Sequence, residues 1–144
     1  MARYRTTVSS PWDGTAAFDY MANFANTAAW DPGVRRAHQI TPGDVGVGTR
    51  FEVVADFNGR SLPLIYEITV FEPPRRVVLR AETPLVVSRD DITFTPTDRG
   101  TDVTYDAELR TRGWLTLAAP VIARMFRGVG KRARVGLQRE LTAR

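Results

Sequence analysis

The last part of the chain carries its longest helical pattern of apolar and polar positions. Between Trp114 and Leu141, apolar residues recur at steps of three and four, which places them on one stripe of an α-helix. We expect this stripe to be buried and the basic residues between its positions to form a cationic, solvated face. The stripe consists of Val121, Ile122, Met125, Phe126, Val129, Ala133, Leu137 and Leu141.

Three glycines, Gly128, Gly130 and Gly136, lie inside this predicted helix. Each destabilises a helix by up to about 1 kcal/mol relative to alanine. Glycines at such positions indicate that another group comes close to the helix backbone. The pattern leaves two explanations open: a neighbouring strand or helix packs there, or the helix forms the wall of a cavity.

Before this helix, the pattern predicts one strand and then two short helices. Ala2–Ser9 alternates as a strand does. Ser10-Pro11 offers a cap oxygen followed by proline, so we expect a helix to begin there and to reach Asn23. A second short helix is predicted from Asn26 to Trp30, because Asp31-Pro32-Gly33 stops it.

The middle of the chain has the two-residue alternation of β-strands, divided by turns rich in glycine and proline. Asn58-Gly59 predicts a two-residue hairpin, because both residue types tolerate positive φ. Pro63 predicts an edge or a bulge near the start of the strand that follows. The predicted strands are Val34–Ile40, Phe51–Phe57, Arg60–Phe71, Val77–Glu82, Leu85–Thr95 and Thr101–Arg110.

Short connections between these strands require antiparallel pairing. A sheet with one apolar face must cover that face, and only the C-terminal helix is long enough. We therefore predict an α+β fold, a curved seven-stranded antiparallel sheet wrapped around the long helix, formed by residues 1–144 as a single domain. Small residues in the gap, such as Ala55, Ala81 and Ala107, would leave room for a pocket.

Composition excludes several classes of function. The 144 residues include no cysteine, which excludes disulfides, thiolate metal sites and cysteine nucleophiles. The N-terminus lacks the apolar segment of a signal peptide, and no run approaches the roughly 18 apolar residues of a membrane span. We expect a soluble, cytoplasmic protein.

The basic charge is concentrated at the C-terminus. From Arg110 onward, nine basic residues stand against Glu140 alone, a net of +8, and the whole chain carries +4, so the earlier residues sum to −4. This face is either simply solvated or a surface for an anionic membrane or acidic partner. We do not expect nucleic acid to bind, because no aromatic residues are interleaved with the basic ones and no reading motif is present.

Several short segments occur in an order that resembles the START-like (SRPBCC) helix-grip superfamily, which includes polyketide cyclases and dehydrases, lipid-transfer proteins and birch-pollen-allergen-like proteins. The resemblance spans essentially the whole chain, and the segments that carry it indicate the fold. They are Ser9-Ser10-Pro11, Trp30-Asp31-Pro32-Gly33-Val34, Gly46-Val47-Gly48-Thr49-Arg50, Phe71-Glu72-Pro73-Pro74, Phe94-Thr95-Pro96 and Gly100-Thr101-Asp102-Val103-Thr104-Tyr105.

The resemblance implies a hydrophobic cavity between the sheet and the long helix that holds a lipid, polyketide, sterol or other apolar molecule. It implies no shared catalytic residue. A carrier or sensor is the first expectation, a polyketide cyclase or dehydratase the second, and a protein that binds a membrane or an acidic partner through its cationic helix the third. We expect no cofactor and no metal, and either a monomer or a homodimer.

Four residues are candidates for acid–base chemistry. His38 is the only histidine, and strand parity leaves it between cavity and solvent. Asp90 shares a strand face with Ser88 and apolar residues; if that face points inward, desolvation would raise the pKa of its carboxyl group, although a one-residue bulge would reverse the assignment. Tyr66 and Tyr105 lie on otherwise apolar faces, either as donors to a ligand carbonyl or as core tyrosines.

Trp30 and Trp114 lie at element junctions, where an aromatic side chain commonly closes the end of a core. The resemblance implies that such positions border the cavity mouth. The expected ligand-binding residues are Trp30, Phe51, Val53, Tyr66, Ile68, Asp90, Phe94, Tyr105, Trp114, Met125 and Val129.

Overall fold

The computed structural model of the protein describes residues 1–57 and 59–143. It contains an α+β arrangement of one sheet and three α-helices. The strands are β1 Ala2–Ser10, β2 Val34–Gln39, β3 Arg50–Phe57, β4 Arg60–Glu72, β5 Arg76–Glu82, β6 Val86–Thr97 and β7 Gly100–Thr111. The α-helices are α1 Gly14–Ala22, α2 Thr27–Trp30 and α3 Ala119–Thr142, with 3₁₀-helices at Phe24–Asn26 and Gly113–Ala118.

The seven strands form one sheet in the order β1-β7-β6-β5-β4-β3-β2, and every neighbouring pair is antiparallel. This confirms the predicted sheet and its helix-grip arrangement. Pro63 lies in the part of β4 that pairs with β3 but not with β5. The proline therefore occupies a local edge of the sheet, where its missing N–H is tolerated.

The turn between β3 and β4 joins strands whose last paired residues are Phe57 and Arg60. Gly59 has a φ of 82°, a left-handed conformation that favours glycine. Asn58, the other residue of the predicted hairpin signal, lies outside the described residues.

The predicted start of the first helix is wrong by several residues. Helix α1 begins at Gly14, and the carboxylate of Asp13 caps it by accepting a 2.8 Å hydrogen bond from the backbone N–H of Ala16. Ser10 belongs to β1, and its hydroxyl donates a 2.6 Å hydrogen bond to the carbonyl oxygen of Leu141. Ser10 thus joins the end of β1 to the end of α3 instead of capping α1.

The predicted long helix is correct over α3 but not before it. Residues 113–118 form a 3₁₀-helix, and α3 begins at Ala119 with Pro120 in its first turn, where a proline fits. Leu137 and Leu141 are buried as predicted, whereas Val121 is 62% exposed and Met125 is 38% exposed. Met125 lines a cavity that the first half of α3 spans, whereas Val121 does not line it and is exposed to solvent.

Two of the three glycines in α3 are explained by close packing. A Cβ atom at Gly136 would overlap the carbonyl oxygen of Trp30, and one at Gly130 would overlap the ring of Tyr4. A Cβ atom at Gly128 would meet only the side chain of Arg132, at 3.7 Å. Helix α3 is therefore held against α2 at Gly136 and against β1 at Gly130. Among the described residues, no helix is both long and apolar enough to cross a membrane.

The space between the sheet and the helices is filled at one end only. There, Phe18 of α1 packs edge-on against Phe71 and Phe94, with ring centroids 5.2 and 5.3 Å away. Ile68 and Ile92 are buried in the same core cluster. This filled end stabilises the fold by burial of apolar surface, and it leaves the other end of the sheet, under α3, available for a cavity.

Candidate functional site: a cavity between the sheet and the long helix

A cavity of about 220 Å³ lies between the sheet and α3. Small residues help to make the space: Ala55 and Ala107 contribute from the sheet and Ala133 from the helix, while Gly130 lines the cavity beside the ring of Tyr4, which packs against it. Most of the remaining wall is apolar, and Leu64 from β4 is one such residue. Of the small residues that the sequence suggested for the gap, Ala55, Ala107 and Gly130 line the cavity, whereas Ala81, Gly128 and Gly136 do not.

Asp90 and Tyr105 form a buried polar pair in the cavity wall. Asp90 lies on β6 and Tyr105 on β7, where they are diagonal neighbours because Asp90 faces Ala107 and Tyr105 faces Ile92. The Tyr105 hydroxyl donates a 2.6 Å hydrogen bond to Oδ2 of Asp90. The small side chain of Ala107 leaves the carboxyl group open to the cavity.

Tyr66 and Ser88 form a second polar pair. Ala81 of β5 lies between them in the sheet, paired with Tyr66 of β4 on one side and with Ser88 of β6 on the other. Because alanine is short, the Tyr66 hydroxyl reaches across it to within 2.7 Å of the Ser88 Oγ. Ser88 and Asp90 are two positions apart on one strand, so the two polar pairs share one face of the sheet.

The inward direction of Asp90 follows from the regularity of β6. Its buried positions alternate, and its pairing with both β5 and β7 continues without a register shift. The bulge that would have reversed the assignment is absent from this strand; the register shifts of the described strands occur in the β2–β3 and β4–β5 pairs. Asp90 therefore keeps only 7% of its surface exposed.

Burial sets the protonation of both members of the pair. Desolvation raises the pKa of Asp90 to about 7, against the opposing effect of the Tyr105 hydrogen bond, and nearby Asp31 and Asp106 raise it further. Burial, followed by the charge of Asp90, raises the pKa of Tyr105 well above its ordinary value. Tyr105 therefore stays protonated and donates, while Asp90 exchanges its proton near neutral pH.

Two aromatic contacts support these tyrosines. The Trp30 ring meets Tyr105 edge-on at 5.4 Å, and the Phe24 ring meets Tyr66 edge-on at 5.1 Å. Both contacts come from the segment that follows α1. The short helical segments therefore fix the tyrosine rings from the helix side of the cavity.

Sequence reasoning missed three charged residues in the cavity wall, Asp31, Asp56 and Arg134. Asp31 accepts a 2.8 Å hydrogen bond from the N–H of Gly33, and burial raises the pKa of its carboxyl group. Arg134 was assigned to the solvated helix face, but its guanidinium donates a 2.9 Å hydrogen bond to Thr6 of β1. A signal was present, because Arg134 is four residues after Gly130, which packs on the same strand.

The structure brings seven of the expected ligand-binding residues together and separates four from them. Phe51, Ile68 and Phe94 are buried in the core and do not line the cavity, and Trp114 is 68% exposed on the 3₁₀-helix. Strand alternation identifies the inner face of the sheet, but not which end of that face other elements fill. Those that line the cavity are Trp30, Val53, Tyr66, Asp90, Tyr105, Met125 and Val129.

His38 lies away from this site. Its side chain is 60% exposed, and its Nδ1 lies 3.8 Å from Oε1 of Glu52 on the neighbouring strand β3. Of the three candidates besides Asp90, His38 is therefore the one that does not line the cavity. Within residues 1–57 and 59–143, no group of three or more histidine, cysteine, aspartate or glutamate side chains could hold a metal ion.

The fold is shared with solved structures of low sequence identity. A START superfamily protein from Mycobacterium smegmatis has a TM-score of 0.79 and 10% identity, covering 98% of this chain and 97% of its own. The Zhui aromatase/cyclase from Streptomyces sp. R1128 has a TM-score of 0.74 and 16% identity, covering 96% and 90%. The di-domain aromatase/cyclase StfQ from the steffimycin biosynthetic pathway has a TM-score of 0.72 and 13% identity, covering 98% of this chain and 50% of its own.

Comparison of the sequence with family profiles assigns the chain to a family that agrees with this fold. No curated protein sequence matches the chain significantly. The profile of the family described as polyketide cyclase / dehydrase and lipid transport matches residues 1–142. The chain therefore belongs to the polyketide cyclase/dehydrase and lipid transport family, within the START-like superfamily that its sequence resembles.

Proposed function

We propose that the protein binds a hydrophobic or amphipathic small molecule in this cavity, as a carrier or sensor of a lipid, polyketide or sterol-like compound. The observation that carries the proposal is an apolar cavity with a buried hydrogen-bonded pair, Asp90 and Tyr105, in its wall. Ligand sites commonly combine apolar walls with a few polar groups that fix orientation. The family, which includes lipid transport, supports this reading.

The size of the cavity limits what it holds. A cavity of about 150 Å³ binds benzene in an engineered protein. The cavity of about 220 Å³ therefore accommodates a ligand, or the part of a longer ligand, that has roughly ten non-hydrogen atoms. A longer ligand would extend past the exposed Met125 at the first half of α3.

Native mass spectrometry of the purified protein, beside a denatured and extracted control, tests the proposal. We expect an adduct of defined mass that the extract identifies as an apolar molecule. A clean apo mass, with no thermal shift from a panel of fatty acids, sterols and aromatic polyketides, would contradict it.

A second candidate is a polyketide cyclase or dehydratase. The observation that favours it is Asp90, a cavity-facing carboxyl group whose pKa of about 7 suits proton transfer. As a carboxylate, Asp90 would remove a proton from a carbon between two carbonyl groups. The resulting enolate carbon would attack another carbonyl of the same chain, and protonated Asp90 would return the proton to the new alkoxide.

Replacing Asp90 with asparagine separates the carrier from the enzyme. An enzyme that depends on Asp90 should lose roughly 10²–10⁴-fold in the cyclisation rate of a poly-β-keto thioester. A carrier should show only a modest change in affinity. Asp91→Asn is the matched control, because Asp91 is on the same strand but pairs with Arg76 outside the cavity.

A third candidate is contact with an anionic bilayer surface through the start of α3. Trp114, Leu117 and Val121 are exposed there, and no salt bridge of the described residues includes Arg124 or Arg127. Exposed apolar side chains beside unpaired cations complement an anionic lipid surface. A second copy of the chain fits less well, because two such faces would bring like charges together.

Sedimentation with vesicles of anionic phospholipid at low salt tests this contact. Arg124→Glu with Arg127→Glu should abolish the binding, and Arg60→Glu, on an exposed position of β4, should preserve it. Equal binding by the charge-reversed protein would rule the surface out. Binding of an acidic protein but not of vesicles would assign the face to that other class of partner.

A further inference from the structure

We propose that the ligand presents a hydroxyl group, on an alcohol, phenol or enol, to the polar end of the cavity, and that carboxylate ligands such as free fatty acids are excluded. This rests on the proposed function, because it names the chemical class that the same cavity accepts. The residues that select it are Asp90, Tyr105, Tyr66 and Ser88.

Asp90 offers an unused acceptor to the cavity. Its Oδ2 accepts from Tyr105, whereas its Oδ1 makes no hydrogen bond among the described residues. In the described part of the chain, every side-chain oxygen or nitrogen that is fully closed off from solvent has a hydrogen-bond partner. Oδ1 has none, so it is not closed off, and it is open to the cavity that Asp90 lines. An acceptor that faces a mostly apolar cavity is favoured by a donor at that position, and a ligand O–H would supply one.

The second pair supplies the complementary donor. Tyr66 and Ser88 have two hydroxyl protons, and only one is used in the hydrogen bond between them. The remaining proton is available to a ligand oxygen. Ser88 and Asp90 are two residues apart on one strand, which places their Cα atoms about 7 Å apart, and both line the cavity, so a ligand hydroxyl group that enters between the two side chains meets a donor on one side and an acceptor on the other. A hydroxyl group both donates and accepts, whereas an ether only accepts and an ammonium group only donates.

The charges of the wall disfavour a carboxylate at this position. Asp90 takes part in none of the salt bridges of the described residues. Arg134 is the one basic residue among the described residues that line the cavity, and its guanidinium is held by Thr6 and Gln138. A second anion beside Asp90 would be repelled in a desolvated site without a compensating cation.

Three probes of one shape test this selectivity: 2-naphthol, 2-methoxynaphthalene and 2-naphthoate, titrated into the wild-type protein by calorimetry at pH 8. We expect 2-naphthol to bind at least about tenfold more tightly than its methyl ether, as a hydrogen bond to a charged acceptor implies, and 2-naphthoate to bind most weakly. Asp90→Leu should make 2-naphthol and the ether equal. Asp91→Asn should keep the wild-type order.

The outcomes separate the selectivity from the proposed function. If none of the three compounds binds the wild type, the apolar binding site itself is wrong. If the ether binds as well as 2-naphthol, or if 2-naphthoate binds most tightly through Arg134, the cavity stands and the hydroxyl selectivity is overturned. Should Asp90→Leu fail to fold, Asp90→Asn replaces it: its amide should retain 2-naphthol and lose the discrimination against 2-naphthoate.

Discussion

The hydroxyl group of Tyr105 donates a 2.6 Å hydrogen bond to Oδ2 of Asp90, and both side chains face the same apolar cavity. The bond favours the ionised carboxylate, whereas burial favours the neutral acid, and burial is the larger effect. The balance places the pKa of Asp90 near neutral pH. A change in the protonation of Asp90 therefore alters both the stability of the fold and the charge in the cavity wall.

Removing this hydrogen bond should raise the pKa of Asp90 further. In Tyr105→Phe, the carboxylate loses the donor that stabilises its charge, so we expect the protein to lose about 1.5–3 kcal/mol of unfolding free energy at pH 8. Urea denaturation and an NMR titration of the Asp90 carboxyl carbon measure the two effects. Tyr20→Phe is the control, since its hydroxyl bonds to Glu140 in a partly exposed position. An unchanged Asp90 pKa in Tyr105→Phe would contradict the assignment.

Stability should fall as pH rises through the titration of Asp90. Its pKa is raised from 3.8 in the unfolded reference to about 7 in the fold. The stabilising contribution is therefore complete below about pH 4 and is lost progressively up to about pH 7, with a total of about 4 kcal/mol.

Asp90→Asn should lack this dependence, so the wild type should lose stability relative to the variant between pH 4 and pH 8. Asp31 and Asp106, which act on Asp90, are present in both proteins, so their own titrations largely cancel in the difference. Chemical denaturation at each pH measures it. Parallel stability curves would show that Asp90 titrates as an exposed carboxylate does.

Two glycines of α3 should respond in opposite directions to alanine. Gly136→Ala places a methyl group against the carbonyl of Trp30, and we expect a loss of about 1–3 kcal/mol from overpacking. Gly128→Ala meets only the Arg132 side chain and should gain up to about 1 kcal/mol from helix propensity. Thermal or urea unfolding of both variants measures the contrast. Equal effects would mean that α3 does not pack on α2 at Gly136.

Local pattern predicted the sheet and placed Asp90 on the same strand face as Ser88 and the apolar residues of β6; that face points inward because β6 keeps its alternation without a bulge. It failed where position depends on another element. Phe94 faces inward as predicted, but Phe18 of α1 covers it, so it belongs to the filled end. A strand pattern contains no information about which end of the sheet a distant helix covers.

The same limit explains the errors around the helices. Ser10 and Asp13 are both good cap residues, and the choice between them depends on a hydrogen bond from Ser10 to Leu141, 131 residues later. Arg134 fits the periodicity of a solvated face, yet a hydrogen bond to Thr6 of β1 holds its guanidinium at the cavity wall. Periodicity measures average direction around a helix, whereas these placements result from single long-range contacts.

The central claim, that the space between sheet and α3 is a ligand site, is tested most directly by NMR of isoleucine methyl groups during a titration with 2-naphthol. Ile122 lines the cavity, Ile40 and Ile65 are exposed, and Ile68 and Ile92 are buried in the core away from the cavity. We predict a saturable shift of the Ile122 methyl signal with Ile40 and Ile65 unchanged. A silent Ile122, or saturable shifts at Ile65 alone, would contradict the account.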